Sequence, residues 1–77
     1  MVRLSDMRPG ESGRIVFIVP ENRARLAKLS SMGIVPGQVV RLDRKWPSVV
    51  ITKEEATLAM DRDVGREIYV KRVQDSM

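Results

Sequence analysis

The chain contains neither cysteine nor histidine among its 77 residues. Disulfide bonds are therefore excluded, and a structural zinc site is not expected because such sites are built on these two residue types. A chain of this length is typical of one small domain, so residues 1–77 are predicted to form a single domain. It buries only about 60% of the surface that its unfolded form exposes, and burial alone must hold the fold.

The same absences remove the usual side chains of enzyme chemistry. Without histidine and cysteine, the common nucleophile–base pairs cannot form. The adjacent Glu54 and Glu55 would point to opposite faces of a strand rather than into one site. No glycine-rich phosphate loop is present, because Gly10 and Gly13 precede a strand and not a helix. The chain is therefore predicted to be non-enzymatic, with no catalytic residue, no metal site and no cofactor.

Long hydrophobic runs are missing as well. No apolar segment approaches the roughly 20 residues that span a bilayer. The first ten residues, MVRLSDMRPG, lack the apolar region of a secretory signal. We therefore expect a cytoplasmic protein that does not insert directly into a membrane.

Charge of one sign is only moderately in excess. The 14 lysines and arginines outnumber the 10 aspartates and glutamates, which leaves a net charge of +4. Both signs are interspersed along the chain, a pattern typical of a mixed, solvated surface. Nucleic acid is therefore not the expected partner, although a small basic barrel that binds nucleic acid remains the main alternative.

Short apolar runs rich in valine and isoleucine, with turn signals between them, predict strands. Residues 14–19 (RIVFIV) form a continuous apolar run, so this strand is expected to be buried along most of its length, with Phe17 in the core. Further strands are predicted at residues 38–45, 49–52, 57–60 and 67–73, with a frayed end at 74–77. The short spacings favour a mainly β fold, a small barrel of about five or six antiparallel strands.

One helix is predicted after the first long strand. Asn22 is a preferred N-cap residue, and the apolar residues of the inward face recur at three-residue steps: Leu26, Leu29 and Met32. Gly33 then occupies the left-handed position that ends a helix, with Ile34 packing back onto Leu29. Two Pro-Gly pairs, Pro9-Gly10 and Pro36-Gly37, each predict a type II turn before a strand.

Two groups of residues are candidates for binding a partner. Arg23, Arg25 and Lys28 form the outer, basic face of the predicted helix, which could meet an acidic surface. Trp46 follows Arg44 and Lys45 in a loop and has three open interpretations. It covers one end of the barrel, it anchors a protein partner, or it stacks on a nucleic-acid base.

The pattern of turns and apolar positions resembles the FeoA family over residues 4–73. The shared features are a leading Leu4, Pro9-Gly10 and Gly13 before the first strand, and then the segment RLAKLSSMGIVPGQVVRL at residues 25–42. Within it, the Met-Gly-x-x-Pro-Gly pattern is the most specific part. Family membership implies an SH3-like barrel.

The resemblance also implies a function. FeoA proteins are linked to bacterial ferrous iron uptake, and the implied partner is the cytoplasmic, GTPase-containing part of a membrane ferrous iron transporter. Metal-ion binding is a family attribute, but no residue here is predicted to bind a metal.

An isolated regulatory domain like that of metal-dependent repressors is a further alternative, and self-association stays open. The implied location is the cytoplasm, with membrane association only through the partner. The loops RKWPS and TKEEA depart from the family pattern.

Overall fold

The computed structural model describes residues 1–73, and runs that contain valine or isoleucine form four of its five longer strands. The strands are β1 (Val2–Arg3), β2 (Ser12–Ile18), β3 (Val39–Arg44), β4 (Val49–Lys53), β5 (Ala56–Met60) and β6 (Ile68–Val73). They pair antiparallel in one six-stranded sheet of order β1-β6-β2-β3-β4-β5. The predicted mainly β class is confirmed, and the prediction for residues 74–77 lies outside the described residues.

The principal helix, α1 (Arg23–Ser31), follows β2 as predicted. The Asn22 side chain accepts a hydrogen bond of 2.8 Å from the Arg25 backbone N–H and so caps the helix. At the other end Gly33 has φ +78°, and the Gly33 and Ile34 N–H groups donate to the carbonyls of Ser30 and Leu29. This is a Schellman closure, which turns the chain back toward the sheet.

Two short helical segments complete the fold. A 3-10 helix spans Leu4–Asp6, and α2 spans Arg62–Gly65 between β5 and β6. Both Pro-Gly turns have positive φ at glycine, +95° at Gly10 and +94° at Gly37, with closing hydrogen bonds of 3.0 and 3.2 Å. Within residues 1–73, no helix is long and apolar enough to cross a membrane.

The core lies between the inner face of the sheet and the segments that cover it. In β3 and β6 the buried residues alternate with exposed ones, as a sheet with one solvated face requires. The buried apolar residues are Leu4, Met7, Ile15, Leu29, Ile34, Val40, Leu42, Val49, Ile51, Met60, Val64, Ile68 and Val70.

The prediction that β2 is buried along most of its length is wrong, and so is the placement of Phe17 in the core. The pairing of β2 with β6 shifts register between Ile15 and Phe17. Such a bulge changes which face successive side chains occupy. Val16 and Phe17 are consequently both exposed, at 39% and 40%, and Phe17 stacks on Tyr69 with ring centroids 4.6 Å apart.

The predicted inward face of α1 is correct only in its second half. Leu29 is buried and Met32 is partly buried, but Leu26 is 41% exposed. The position one turn before Leu29 on the same face belongs to Arg25. Its guanidinium forms ion pairs with Glu67, just before β6, and with Glu21. Arg25, joined by this ion pair to another element, therefore takes the inward position of the first turn of α1, and Leu26 lies toward solvent.

Candidate functional site

The loop between β3 and β4 carries the most exposed aromatic side chain of the described residues. Trp46 is 68% exposed, so it does not close an end of the sheet as a buried cover would. The loop is short because the strands on either side end at Arg44 and begin at Val49. Pro47, joined to Trp46 by a cis peptide bond, interrupts the strand pattern there.

Arg62 of α2 lies over the ring of Trp46, with its Cζ 4.8 Å from the ring centroid. This is the geometry of a cation–π contact. The two residues form one wall of a cleft of about 430 Å³, here named the Trp46 cleft. The cleft is lined by Arg3, Ser5, Asp6, Lys45, Trp46, Val49, Arg62 and Arg66.

The Trp46 cleft is cationic, because four bases and the single carboxylate of Asp6 line it, and in the described part of the chain only Arg66 among these bases is paired with a carboxylate, that of Asp63. That carboxylate already accepts a hydrogen bond of 3.1 Å from the Arg3 backbone N–H. Lys45 Nζ is held by the Ser5 carbonyl at 3.2 Å, which orients the amine without neutralising it. Among the described residues no carboxylate forms an ion pair with Lys45 or Arg62.

A second cleft lies against the helix and is named the α1 cleft. Its volume is about 240 Å³, and its floor is mostly apolar. The lining residues are Arg25, Lys28, Leu29, Met32, Ala59, Met60, Asp61 and Val64. No residue is common to the two clefts, although α2 contributes Arg62 to the first and Val64 to the second.

The predicted partner-binding residues are therefore divided between separate surfaces. Lys45 and Trp46 line the Trp46 cleft, whereas Arg44 is exposed at the end of β3 and lines neither cleft. On the helix, Arg23 and Lys28 are exposed. Arg25 departs from the predicted outer face, because its side chain is only 22% exposed and is engaged by two glutamates.

Three bases of the Trp46 cleft were not singled out from the sequence: Arg3, Arg62 and Arg66. They come from the start of the chain and from α2, far in sequence from the loop that carries Trp46. No local pattern marks them, because only the packing of α2 and of the 3-10 helix beside β4 brings them to one place. Long-range packing of these elements, and not spacing in the sequence, assembles this site.

Two carboxylates outside both clefts have a lowered pKa. A hydrogen bond from the Arg8 backbone N–H lowers the pKa of Glu11, and the charge of Arg72 adds to this effect. The pKa of Asp43 is lowered first by a hydrogen bond from the Thr52 hydroxyl and then by one from Arg41. Within residues 1–73, no group of three acidic side chains lies close enough together to hold a metal ion.

Known structures share this fold. An iron uptake regulatory protein, FeoA, is 29% identical over 94% of this chain and 96% of its own, with a TM-score of 0.82. FeoA from Stenotrophomonas maltophilia, an SH3 domain protein solved with zinc, is 17% identical over 92% of this chain and 91% of its own, with a TM-score of 0.78. A manganese-dependent transcriptional repressor is 20% identical over 92% of this chain but 41% of its own, with a TM-score of 0.83.

These likenesses identify the fold as SH3-like, as the resemblance implied, and the two at 20% identity or below support the fold alone. The chain matches no curated protein sequence. The FeoA domain, however, matches residues 2–72, which is nearly the whole chain. The chain therefore belongs to the FeoA domain family.

Proposed function

We propose that this protein is a non-enzymatic accessory of ferrous iron uptake that binds the cytoplasmic, GTPase-containing part of a membrane ferrous iron transporter. The observation that carries the proposal is the FeoA domain match over residues 2–72. The 29% identical structure is named an iron uptake regulatory protein. The S. maltophilia protein is named as a candidate activating factor of ferrous iron transport. Iron is the transporter's cargo in this proposal and not a resident cofactor of the chain.

The proposed mode of action is docking through exposed side chains. The candidate contacts are Arg23, Lys28, Arg44, Lys45 and Trp46, all of which are exposed apart from the half-buried Lys45. Arg25 instead acts within the protein, where its ion pair with Glu67 joins α1 to the start of β6. The protein would work on the cytoplasmic side of the membrane and be held there by its partner.

Calorimetric titration tests this function directly. The purified chain is added to the isolated GTPase-containing domain of a ferrous iron transporter, at low and at physiological salt. Saturable binding at both salt concentrations is expected, with an unrelated GTPase domain as the control. Absence of binding at both concentrations contradicts the proposal. Light scattering on the same samples reports whether the chain self-associates.

A second candidate function is binding of single-stranded nucleic acid, and one observation favours it. The exposed Phe17 stacks on the half-buried Tyr69, and the exposed Arg14 and Lys71 form a nearby pair on the same two strands. Aromatic platforms flanked by bases are typical of such surfaces. The expected signature is binding of mixed-sequence RNA that weakens steeply as salt is added. Phe17→Ala should abolish that binding, and Leu26→Ala is the control because Leu26 is equally exposed but lies on α1.

A further inference from the structure

The described bases of this protein differ in whether a carboxylate already neutralises them. Arg25, Arg41, Arg66 and Arg72 each form an ion pair within residues 1–73. In the Trp46 cleft, Lys45 and Arg62 have no such partner, although they lie in a concave site beside an exposed tryptophan. A concave surface focuses the field of its charges. Arg3 has no ion pair within residues 1–73 either, so this cleft gathers three bases without a carboxylate partner, from three separate segments, into one concave surface.

We propose that the Trp46 cleft binds an acidic peptide segment of the protein partner. This assignment rests on the proposed function, since it names the chemistry of the surface that the transporter domain would present. Carboxylates of the segment pair with Lys45, Arg62 and Arg3, and an adjoining side chain of the segment packs on the face of Trp46 that Arg62 leaves open. Tryptophan and arginine are the residue types that most often dominate binding energy at interfaces.

The geometry of Arg62 suits this role. Its guanidinium contacts the Trp46 ring, at 4.8 Å from Cζ to the ring centroid. The N–H donors of a guanidinium point outward in its plane. A ring that contacts the face of the guanidinium therefore leaves these donors free. The ring therefore positions Arg62 while its donors stay available for a carboxylate. The Ser5 carbonyl positions the amine of Lys45 in the same way.

A peptide fits the cleft better than a nucleic acid does. Single-stranded nucleic acids bind to successive aromatic platforms, whereas Trp46 is the one aromatic residue that lines this cleft. One face of its ring is already covered by Arg62. A volume of about 430 Å³ accommodates a few side chains. The α1 cleft is a poorer site for an acidic segment, because Arg25 is neutralised and Asp61 adds a negative charge.

The first test uses a fluorescein-labelled hexaglutamate peptide, with hexaglutamine as the uncharged control. Trp46 is the only tryptophan in the chain, so its emission reports binding at the cleft itself. Hexaglutamate should change the emission of Trp46 and bind at low salt, while hexaglutamine should do neither. Mixed-sequence single-stranded RNA of the same length is titrated in parallel. Tighter binding of RNA than of hexaglutamate at Trp46 overturns the assignment to an acidic peptide.

The second test separates the cleft from net charge alone. The double variant Lys45→Gln/Arg62→Gln removes two charges from the cleft, and Arg23→Gln/Lys28→Gln removes two from exposed positions on α1. The first should weaken hexaglutamate binding about tenfold and the second less than about twofold, because truncating a pair that makes direct contact costs more than losing a distant charge. Equal losses in the two variants overturn the proposal. Thermal unfolding of both variants checks that neither has lost its fold.

The same variants are then titrated with the transporter's GTPase-containing domain, and this arm distinguishes the two proposals. If the domain binds the wild-type chain and the Lys45→Gln/Arg62→Gln variant equally well, the cleft assignment fails and the proposed function stands. If the domain does not bind at all while hexaglutamate still binds at Trp46, the proposed function fails and the cleft remains an acidic-peptide site. A tenfold loss of affinity for the domain in the cleft variant supports both proposals. In this arm the α1 variant is not a control, because Arg23 and Lys28 are themselves candidate contacts of the domain.

Discussion

The two clefts beside α2 contain similar side chains but use them differently. In the α1 cleft, Arg25 is 22% exposed and holds the helix to the residue before β6 through Glu67, itself 16% exposed. In the Trp46 cleft, Arg62 is stacked on an exposed ring and has no carboxylate partner within residues 1–73. The comparison teaches that a base paired with a carboxylate joins parts of the fold, whereas a base without such a partner keeps its charge available. The residue type and the exposure predicted from the sequence do not distinguish a paired base such as Arg25 from an unpaired one such as Arg62.

The largest expected effect tests whether the side chains that line the α1 cleft stabilise the fold. Leu29→Ala removes a side chain that is only 4% exposed and belongs to the core cluster. Such truncations leave a cavity, so a loss of about 3 kcal/mol in the free energy of unfolding is expected. Leu26→Ala on the same helix is the matched control and should cost less than about 1 kcal/mol, because Leu26 is 41% exposed. Urea denaturation measures both, and equal losses would contradict the buried position of Leu29 and the exposed position of Leu26.

The closure of α1 at Gly33 provides the next test. Gly33 has φ +78°, and an added Cβ would approach Lys53 Cε at 2.7 Å. The lysine end can move, so the backbone conformation sets the cost, and Gly33→Ala should destabilise by roughly 1 kcal/mol or more. Gly33→Asn should cost less, because asparagine tolerates the left-handed region better. A melting temperature unchanged in the alanine variant would show that the strain is not real.

Breaking the ion pair of Arg25 sharpens the comparison itself. Arg25→Gln leaves the half-buried Glu67 without its cation, and the free energy of unfolding should fall by about 1 to 2 kcal/mol. Arg62→Gln removes the same charge from the Trp46 cleft but should change stability by less than about 0.5 kcal/mol, as exposed substitutions usually do. Thermal unfolding of the two variants side by side provides the measurement. If Arg62→Gln is the more destabilising, the division of roles between the two clefts is wrong.

The parts of this fold that were predictable depend on neighbouring residues. Asn22 marks the start of α1 through a local hydrogen bond, and Gly33 marks its end through a local backbone angle. Their residue types alone indicate both ends of the helix. The alternation in β6 likewise indicates its buried face. Phe17 was misplaced because a bulge interrupts the alternation, and no residue type in RIVFIV marks one. Leu26 was misplaced because Arg25, which pairs with the distant Glu67, takes the inward position one turn before Leu29.

The candidate site was predictable only in part, for the same reason. Lys45 and Trp46 are adjacent in sequence and were identified together. Arg3 and Arg62 join them only after β1 pairs with β6 and α2 packs beside the 3-10 helix. A composite site of this kind requires the tertiary structure, since its members share neither a spacing nor a common element. Exposed bases elsewhere, such as Arg23, have the same local appearance in the sequence.

The smallest expected effect provides a baseline, because Asp43 lines neither cleft. Hydrogen bonds from Thr52 and Arg41 lower the pKa of Asp43 in the folded protein, so the ionised form stabilises the fold above the unfolded-state pKa, near 3.8. That stabilisation is lost as the pH falls through the lowered, folded-state pKa. Asp43→Asn should therefore be less stable than wild type by under about 1 kcal/mol at neutral pH, and the difference should shrink toward pH 2. Urea denaturation across this range checks the sign, and a difference that grows on acidification would mean that Asp43 is stabilised as the neutral acid.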